Sequence, residues 1–221
     1  MNPIPSSTSS PDPRDTPRLV YLVDDDEAVC DSMRWLLEGN GFDVRSFNSA
    51  EAFLAAFDPA PPACLVLDVR MNGMSGVELH DELLRRGERI PLIFMTGHGD
   101  VPMAVERMKL GAIDFLEKPF DDRKLCRVVA NALAQAQASR VAQGERERDR
   151  QLLERLTPRE RQVVHLIGQG RLNKQIADDL SISIKTVEAH RANIMEKFEV
   201  RTMAELMRRY LNAQDAERPA G

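Results

Sequence analysis

The chain has 221 residues, 43% of them hydrophobic and 29% charged, which suits a soluble globular protein of one or two domains, each able to bury its own core. No apolar run approaches the roughly 18–20 residues that cross a bilayer, so no membrane-spanning helix is expected. Cys30, Cys64 and Cys126 are odd in number, far apart and set in apolar patterns, which reads as buried reduced thiols of a cytoplasmic protein. With four scattered histidines and no CxxC, a zinc site has little support. The net charge of −5 is uneven: Thr157–Asn212 carries three more basic than acidic residues, leaving the remainder near −8. Such asymmetry hints at a nucleic-acid partner for the basic part.

Residues 1–17 are rich in Ser and Pro with no apolar segment, which predicts a disordered tail and no secretory signal. After it, strand-like apolar runs alternate with segments of helical period. Leu19–Val23 is a strand ending in an acid cluster, and Ala28–Glu38 is a helix with Val29, Met33, Leu36 and Leu37 in phase. Phe42–Phe47 alternates, and Ala50–Phe57 is helical. Cys64–Leu67 is a strand ending at Asp68, and Val77–Arg86 is helical. Leu92–Met95 is a strand ending at Thr96, followed by a helix over Val101–Leu110. Ile113–Leu116 is a strand ending at Lys118-Pro119, and a last helix begins near Asp121. Five βα units predict a parallel sheet covered by helices on both faces, with ligands bound beyond the carboxyl ends of the strands.

Ala130–Arg155 has no Pro and one Gly, and its Ala, Gln, Glu and Arg content predicts a helical extension with Gly144 a possible break. From Thr157 the texture changes to short helices. Thr157-Pro158-Arg159-Glu160 is a capping box with Pro at the first helical position, and Gly168 and Gly170 end that helix. Asn173 can cap a second helix running to Leu180, Ser183 a third through about Phe198, and Thr202 with Glu205 forms another capping box. The expected boundaries are a tail at 1–17, an α/β domain at 18–132, a helical linker at 133–155, an all-α domain at 156–212 and a tail at 213–221.

The strand ends carry the chemistry. Asp24, Asp25 and Asp68, with Thr96 and Lys118, converge on one sheet edge. Crowded carboxylates repel unless a cation is present, and Mg²⁺ suits a few carboxylates while keeping sites for a phosphate ligand. Asp68 can there attack a phosphoryl group while metal, ammonium and hydroxyl hold the developing charge. Singly, each residue is ordinary: an acidic helix start, a turn, a cap. Together they form a specific pattern.

These residues resemble the receiver domain of two-component response regulators over about Arg18–Ala132. The match runs through Val-Asp-Asp-Asp (23–26), Leu-Asp-Val-Arg-Met (67–71), Met-Thr-Gly-His-Gly (95–99) and Lys-Pro-Phe (118–120). The resemblance implies a doubly wound, flavodoxin-like sheet of strand order 2-1-3-4-5. It implies Asp68 as phosphoacceptor; Asp25, Asp68 and the main-chain carbonyl of Arg70 as Mg²⁺ ligands; and Asp24 acting through a bound water. Thr96 and Lys118 would contact the phosphoryl oxygens, and Phe115 would be the aromatic switch. Asp26 and Glu27 read as helix-start residues, while Arg70 and His98 read as solvent-facing loop residues able to modulate hydrolysis. One departure is Asn72, where such proteins often carry Pro; the exchange is expected to loosen the loop and touch no proposed ligand.

Leu156–Tyr210 resembles the helix-turn-helix domain of the NarL/FixJ (LuxR-type) regulators. The match runs through Leu-Thr-Pro-Arg-Glu-Arg (156–161), Asn-Lys-Gln-Ile-Ala (173–177), Lys-Thr-Val-Glu-Ala-His-Arg (185–191) and Ile-Met-Glu-Lys-Phe (194–198). The third of its four helices would then be the recognition helix in the major groove. Helical geometry turns Val187, Ile194 and Phe198 inward and leaves Lys185, Glu188, Ala189, Ala192 and Glu196 on the opposite face. Lys185, Glu188, Ala189 and Ala192 are the expected base readers, and Asn173, Lys174, Thr186 and Arg191 the expected phosphate contacts. Glu188 reads equally well as plain surface, and His190 as packed beside the core stripe. A small helical protein-interaction module is the competing reading, and the single excess basic charge along 185–198 suits it.

The expected whole is a cytoplasmic transcriptional regulator and not an enzyme. A sensor histidine kinase would phosphorylate Asp68; the resemblance suggests that the active state then dimerises through about Asp100–Phe115, and the pair would bind double-stranded DNA. An aspartyl-phosphate phosphatase would need a substrate pocket and a second acid/base carboxylate, neither of which the residues clearly offer. A regulator that binds DNA without phosphorylation is the other alternative.

Overall fold

The computed structural model describes residues 18–97 and 101–217, the side chains of 101, 102 and 215–217 excepted. Two compact units divide at Arg140/Val141. The expected tail at 1–17 and His98 lie outside the described residues.

In the N-terminal unit, β1 (Leu19–Val23), β2 (Asp43–Phe47), β3 (Ala63–Asp68), β4 (Leu92–Thr96) and β5 (Asp114–Glu117) form one sheet of order β2-β1-β3-β4-β5. Every pairing is parallel. The intervening helices are α1 (Glu27–Gly39), α2 (Ala50–Ala56), α3 (Gly76–Arg85) and α4 (Val101–Lys109), with α5 (Asp122–Glu154) following β5. β1, β3 and β4 are buried along their whole length, as strands covered on both faces must be, hence their unbroken apolar runs. The two-residue period then sorts their side chains. Val20, Leu22, Cys64, Val66, Ile93 and Met95 meet Met33 and Leu37 of α1 and Leu125 and Val129 of α5. Tyr21, Val23, Leu65, Leu67 and Phe94 meet Phe53 of α2 and Leu79 and Leu83 of α3 on the other face. The elements follow the sequence expectation to within a residue or two at each end.

Helix α5 runs 33 residues without interruption, so Gly144 is no break. One Gly costs about 1 kcal/mol against Ala, and the Glu, Arg and Gln around it are strong helix formers. Arg150 adds ion pairs to Glu147 (2.9 Å) and Glu154 (2.7 Å) one turn to either side. No helix among the described residues is long and apolar enough to cross a membrane. Cys30 and Cys64 are buried and Cys126 half-buried, and all three are free thiols.

The C-terminal unit contains the end of α5 and the helices α6 (Pro158–Gly168), α7 (Asn173–Leu180), α8 (Ile184–Lys197) and α9 (Met203–Glu217). Its core includes Leu152, Leu156, Val163, Val164, Ile176, Val187, Ile194, Phe198, Leu206 and Tyr210. Both foreseen capping boxes form: Thr157 N–H donates to Glu160 Oε2 (2.8 Å), and Thr202 N–H to Glu205 Oε2 (3.2 Å). Asn173, however, does not cap α7. The N-cap is Leu172, whose N–H donates to Gln175 Oε1 at 2.9 Å, while the Asn173 side chain accepts from Arg191 Nη1 (2.9 Å). Helix α9 continues to Glu217, past the boundary expected at Asn212, because Leu206, Tyr210 and Ala213 form one buried stripe.

Candidate functional site

Sheet register places the acidic residues side by side. Val23 pairs with Leu67, so Asp24 follows β1 where Asp68 closes β3. Asp68 pairs with Met95, and Thr96 pairs with Glu117, so Thr96 and Lys118 arrive one step along the same edge. Backbone bonds fix these ends: Asp24 N–H to Phe47 O (3.2 Å), Val69 N–H to Met95 O (2.9 Å) and Lys118 N–H to Thr96 O (2.8 Å).

At the centre, the Lys118 ammonium donates to Asp68 Oδ1 at 2.7 Å and to Asp24 Oδ2 at 2.8 Å. Asp24 is 2% exposed, Asp68 7% and Thr96 8%, while the Lys118 side chain, 30% exposed, reaches them from the rim. Burial pushes the Asp68 carboxyl above its ordinary range, and neighbouring Asp24 adds to the push, against the pull of Lys118. Burial also works against the charged form of Lys118, but its bonds to Asp24 and Asp68 win and hold its pKa raised. The remaining oxygens find main-chain donors: Arg70 N–H gives to Asp68 Oδ2 and Asp26 N–H to Asp24 Oδ1, each at 3.0 Å.

Asp24, Asp25 and Asp68 each bring one carboxylate oxygen within 4.8 Å of the others. Three hard oxygen donors at that spacing fit a small divalent cation such as Mg²⁺, whose charge would relieve their repulsion. Asp26 is the N-cap of α1, accepting from Ala28 and Val29, and Glu27 lies in its first turn, as expected of helix-start residues. Thr96 donates through its hydroxyl to the Gly97 carbonyl at 3.1 Å. Phe115 is half-buried and stacks on Phe94, ring centroids 4.9 Å apart. Arg70 is exposed.

Asn72 requires a correction. It does touch an expected ligand, donating to Asp25 Oδ2 through its main-chain N–H (2.8 Å) and through Nδ2 (2.7 Å). Without a pyrrolidine ring the backbone keeps its donor, and the short amide reaches across the gap between the two loops. The absence of Pro was visible in the sequence; its partner 47 positions away was not.

The loop from β3 to α3 also depends on Gly76. A Cβ there would stand 2.1 Å from the Asp68 carbonyl oxygen and 3.0 Å from Leu67 Cγ. Because the obstacle is backbone, Gly76→Ala must displace the end of β3 and should destabilise the N-terminal unit by about 1–3 kcal/mol. Thermal denaturation would measure it, and an unchanged midpoint would show that the strand end yields freely.

In the C-terminal unit, Ser181 adopts a left-handed conformation (φ +53°) and turns the chain from α7 into α8. Ser183 caps α8 by accepting from Thr186 N–H at 3.0 Å. Val187, Ile194 and Phe198 are fully buried, while Lys185, Thr186, Glu188, Ala189, Ala192 and Glu196 are exposed on the opposite side. Lys174 is exposed, Asn173 and Arg191 are half-buried and bonded to each other, and His190 is half-buried beside the core stripe. The C-terminal end of α8 is anchored by Lys197, which donates to buried Glu160 Oε2 at 2.6 Å.

The family model "Response regulator receiver domain" matches residues 20–130, and "Bacterial regulatory proteins, luxR family" matches residues 154–210. The chain therefore belongs to the two-component response regulators that join a receiver domain to a LuxR-type helix-turn-helix domain. This is the architecture of a phosphorylation-activated transcriptional regulator. Over 194 residues it is 47% identical to the transcriptional regulatory protein FixJ of Azorhizobium caulinodans, covering 88% of this chain and 92% of that protein. It is 40% identical to the tetrathionate response regulatory protein TtrR of Salmonella typhimurium, covering 86% and 91% of the two chains. Among solved structures, the response regulator StyR matches with a TM-score of 0.75 at 44% identity, over 87% of this chain and 98% of that one. Full-length FixJ from B. japonicum matches with a TM-score of 0.55 at 42% identity, over 90% and 98%.

Proposed function

We propose that Asp68 is the phosphoacceptor of a cytoplasmic response regulator, taking its phosphoryl group from a sensor histidine kinase. The Asp68 carboxylate attacks phosphorus, the P–N bond of the donor phosphohistidine breaks, and the imidazole leaves with its electron pair while an acyl phosphate forms. Asp25, Asp68 and the Arg70 carbonyl would hold Mg²⁺, with Asp24 acting through water. When bound, the ion supplies positive charge against the phosphoryl oxygens. Lys118, already 2.7 Å from Asp68 Oδ1, would turn its ammonium to one phosphoryl oxygen, and the Thr96 hydroxyl would donate to another. Thr96 must then leave the Gly97 carbonyl, and movement of Phe115 from its place on Phe94 would accompany that shift. The protein takes up the phosphoryl group once and is regulated by it, which is not the turnover of an enzyme.

What supports this assignment above all is the half-buried Lys118 ammonium shared by buried Asp24 and Asp68 at the edge where three carboxylates gather. Val105, Met108 and Leu110 are large apolar side chains left more than two-fifths exposed. They lie in or just after α4, and Val105 and Met108 line a shallow hollow of about 530 Å³ with Phe115. An apolar patch beside the switch residue suits a surface through which phosphorylated copies pair. Two helix-turn-helix domains brought together would bind double-stranded DNA cooperatively, Lys185, Glu188, Ala189 and Ala192 reading bases and Lys174, Thr186, Asn173 and Arg191 meeting phosphates. Beryllium fluoride with Mg²⁺, read by sedimentation velocity and by binding to an operator selected from random duplexes, tests the whole. A shift to dimer with tighter DNA binding is expected; unchanged mass and affinity would refute it.

A further inference from the structure

Asp25 differs from its two neighbours in how its charge is answered. Lys118 serves Asp24 and Asp68, whereas the donors given to Asp25 Oδ2 are the main-chain N–H and the side-chain amide of Asn72. The loop carrying Asn72 is itself fastened on both sides of that residue. Arg70 N–H is tied to Asp68 Oδ2 at 3.0 Å and Met74 N–H to Glu51 Oε1 at 3.2 Å. Ser75 N–H closes the capping box of α3 on Glu78 Oε2 at 2.9 Å. Asn72 is therefore presented from a fixed backbone, and its two donors converge on one oxygen. Left alone, a half-exposed carboxylate within 4.8 Å of two others would turn toward water to escape them.

We propose that Asn72 is a positioning residue for the divalent metal, acting through Asp25. Its paired donors hold the Asp25 carboxylate in the cluster before the ion arrives, so binding need not freeze that side chain. A proline at this position offers neither donor and would leave Asp25 to be ordered by the ion itself. The inference rests on the reading of Asp24, Asp25 and Asp68 as a Mg²⁺ site.

Calorimetric titration of Mg²⁺ alone into the full-length chain provides the test, with Asn72→Ala and Asn72→Pro compared to wild type. Asn72→Ala removes one donor and should weaken Mg²⁺ binding about tenfold, the low end of effects for groups that orient metal ligands. Asn72→Pro removes both and should weaken it further. Thermal melting in chelator should be the same for Asn72→Ala as for wild type, because the exposed side chain supports the ligand and not the fold. Equal or tighter Mg²⁺ binding by Asn72→Ala would overturn the proposal, as would a matching loss of stability in chelator. If wild type itself bound no Mg²⁺, the metal site would be the failed premise.

Discussion

Asp68→Asn is expected to abolish Mg²⁺-dependent phosphoryl incorporation from acetyl phosphate, leaving no phosphoprotein band on a phosphate-affinity gel. An amide nitrogen or oxygen is too poor a nucleophile to replace the carboxylate, while its near-identical volume spares the packing around a residue only 7% exposed. Lys118 retains Asp24 as a partner at 2.8 Å, so the variant should keep a buried charge paired and fold normally. The same substitution separates two accounts of regulation. If phosphate governs the protein, phosphodonor should no longer change its self-association or DNA affinity. Full phosphoryl incorporation into Asp68→Asn would place the acceptor elsewhere; an unmodified variant that still responded to phosphodonor would detach the response from this site.

Phe198→Ala should have the largest effect on stability. Its ring is wholly buried at the C-terminal end of α8, in one core with Val163, Val187, Ile194, Leu206 and Tyr210. Emptying such a site costs about 3–5 kcal/mol, a large share of the roughly 5–15 kcal/mol that holds a small domain folded. The loss should be confined to the C-terminal unit, whose core shares no residue with the two cores on the receiver sheet. Phosphorylation should therefore survive while DNA binding fails. Chemical denaturation followed by circular dichroism would show an early transition for that unit alone; a normal curve would mean the core closes over the gap.

The fold was legible because its elements are punctuated locally. Runs such as Leu19–Val23 and Leu92–Met95 are apolar throughout since both faces of the sheet are covered, and Thr157, Ser183 and Thr202 mark helix starts by their own side chains. The acidic site was legible because parallel strands deliver their ends to one edge whatever lies between them. What escaped the sequence were contacts made by residues with more than one available partner. Asn173 has the chemistry of a cap, yet Arg191 from the next helix takes its carbonyl. Asn72 has the look of a loop filler, yet a residue at the end of another strand makes it a donor pair. Glu160 was read correctly as half of a capping box, but its ion pair with Lys197, 37 positions on, leaves no local trace. Gly144 carries a breaker's identity in a stretch whose other residues outvote it.

The three thiols show how quiet the interior chemistry of this chain is. Burial drives Cys64 up to about 12 and, with help from Asp24, Cys30 up to about 11, and it also raises half-buried Cys126. A thiol with a pKa near 11 is ionised in only about one molecule in ten thousand at neutral pH, and oxidants and alkylating reagents attack the thiolate. An oxidising episode should thus spare Cys30 and Cys64, whose buried thiols stay protonated. A single cysteine introduced on the solvent side of α8 should accept a probe well ahead of Cys30 and Cys64.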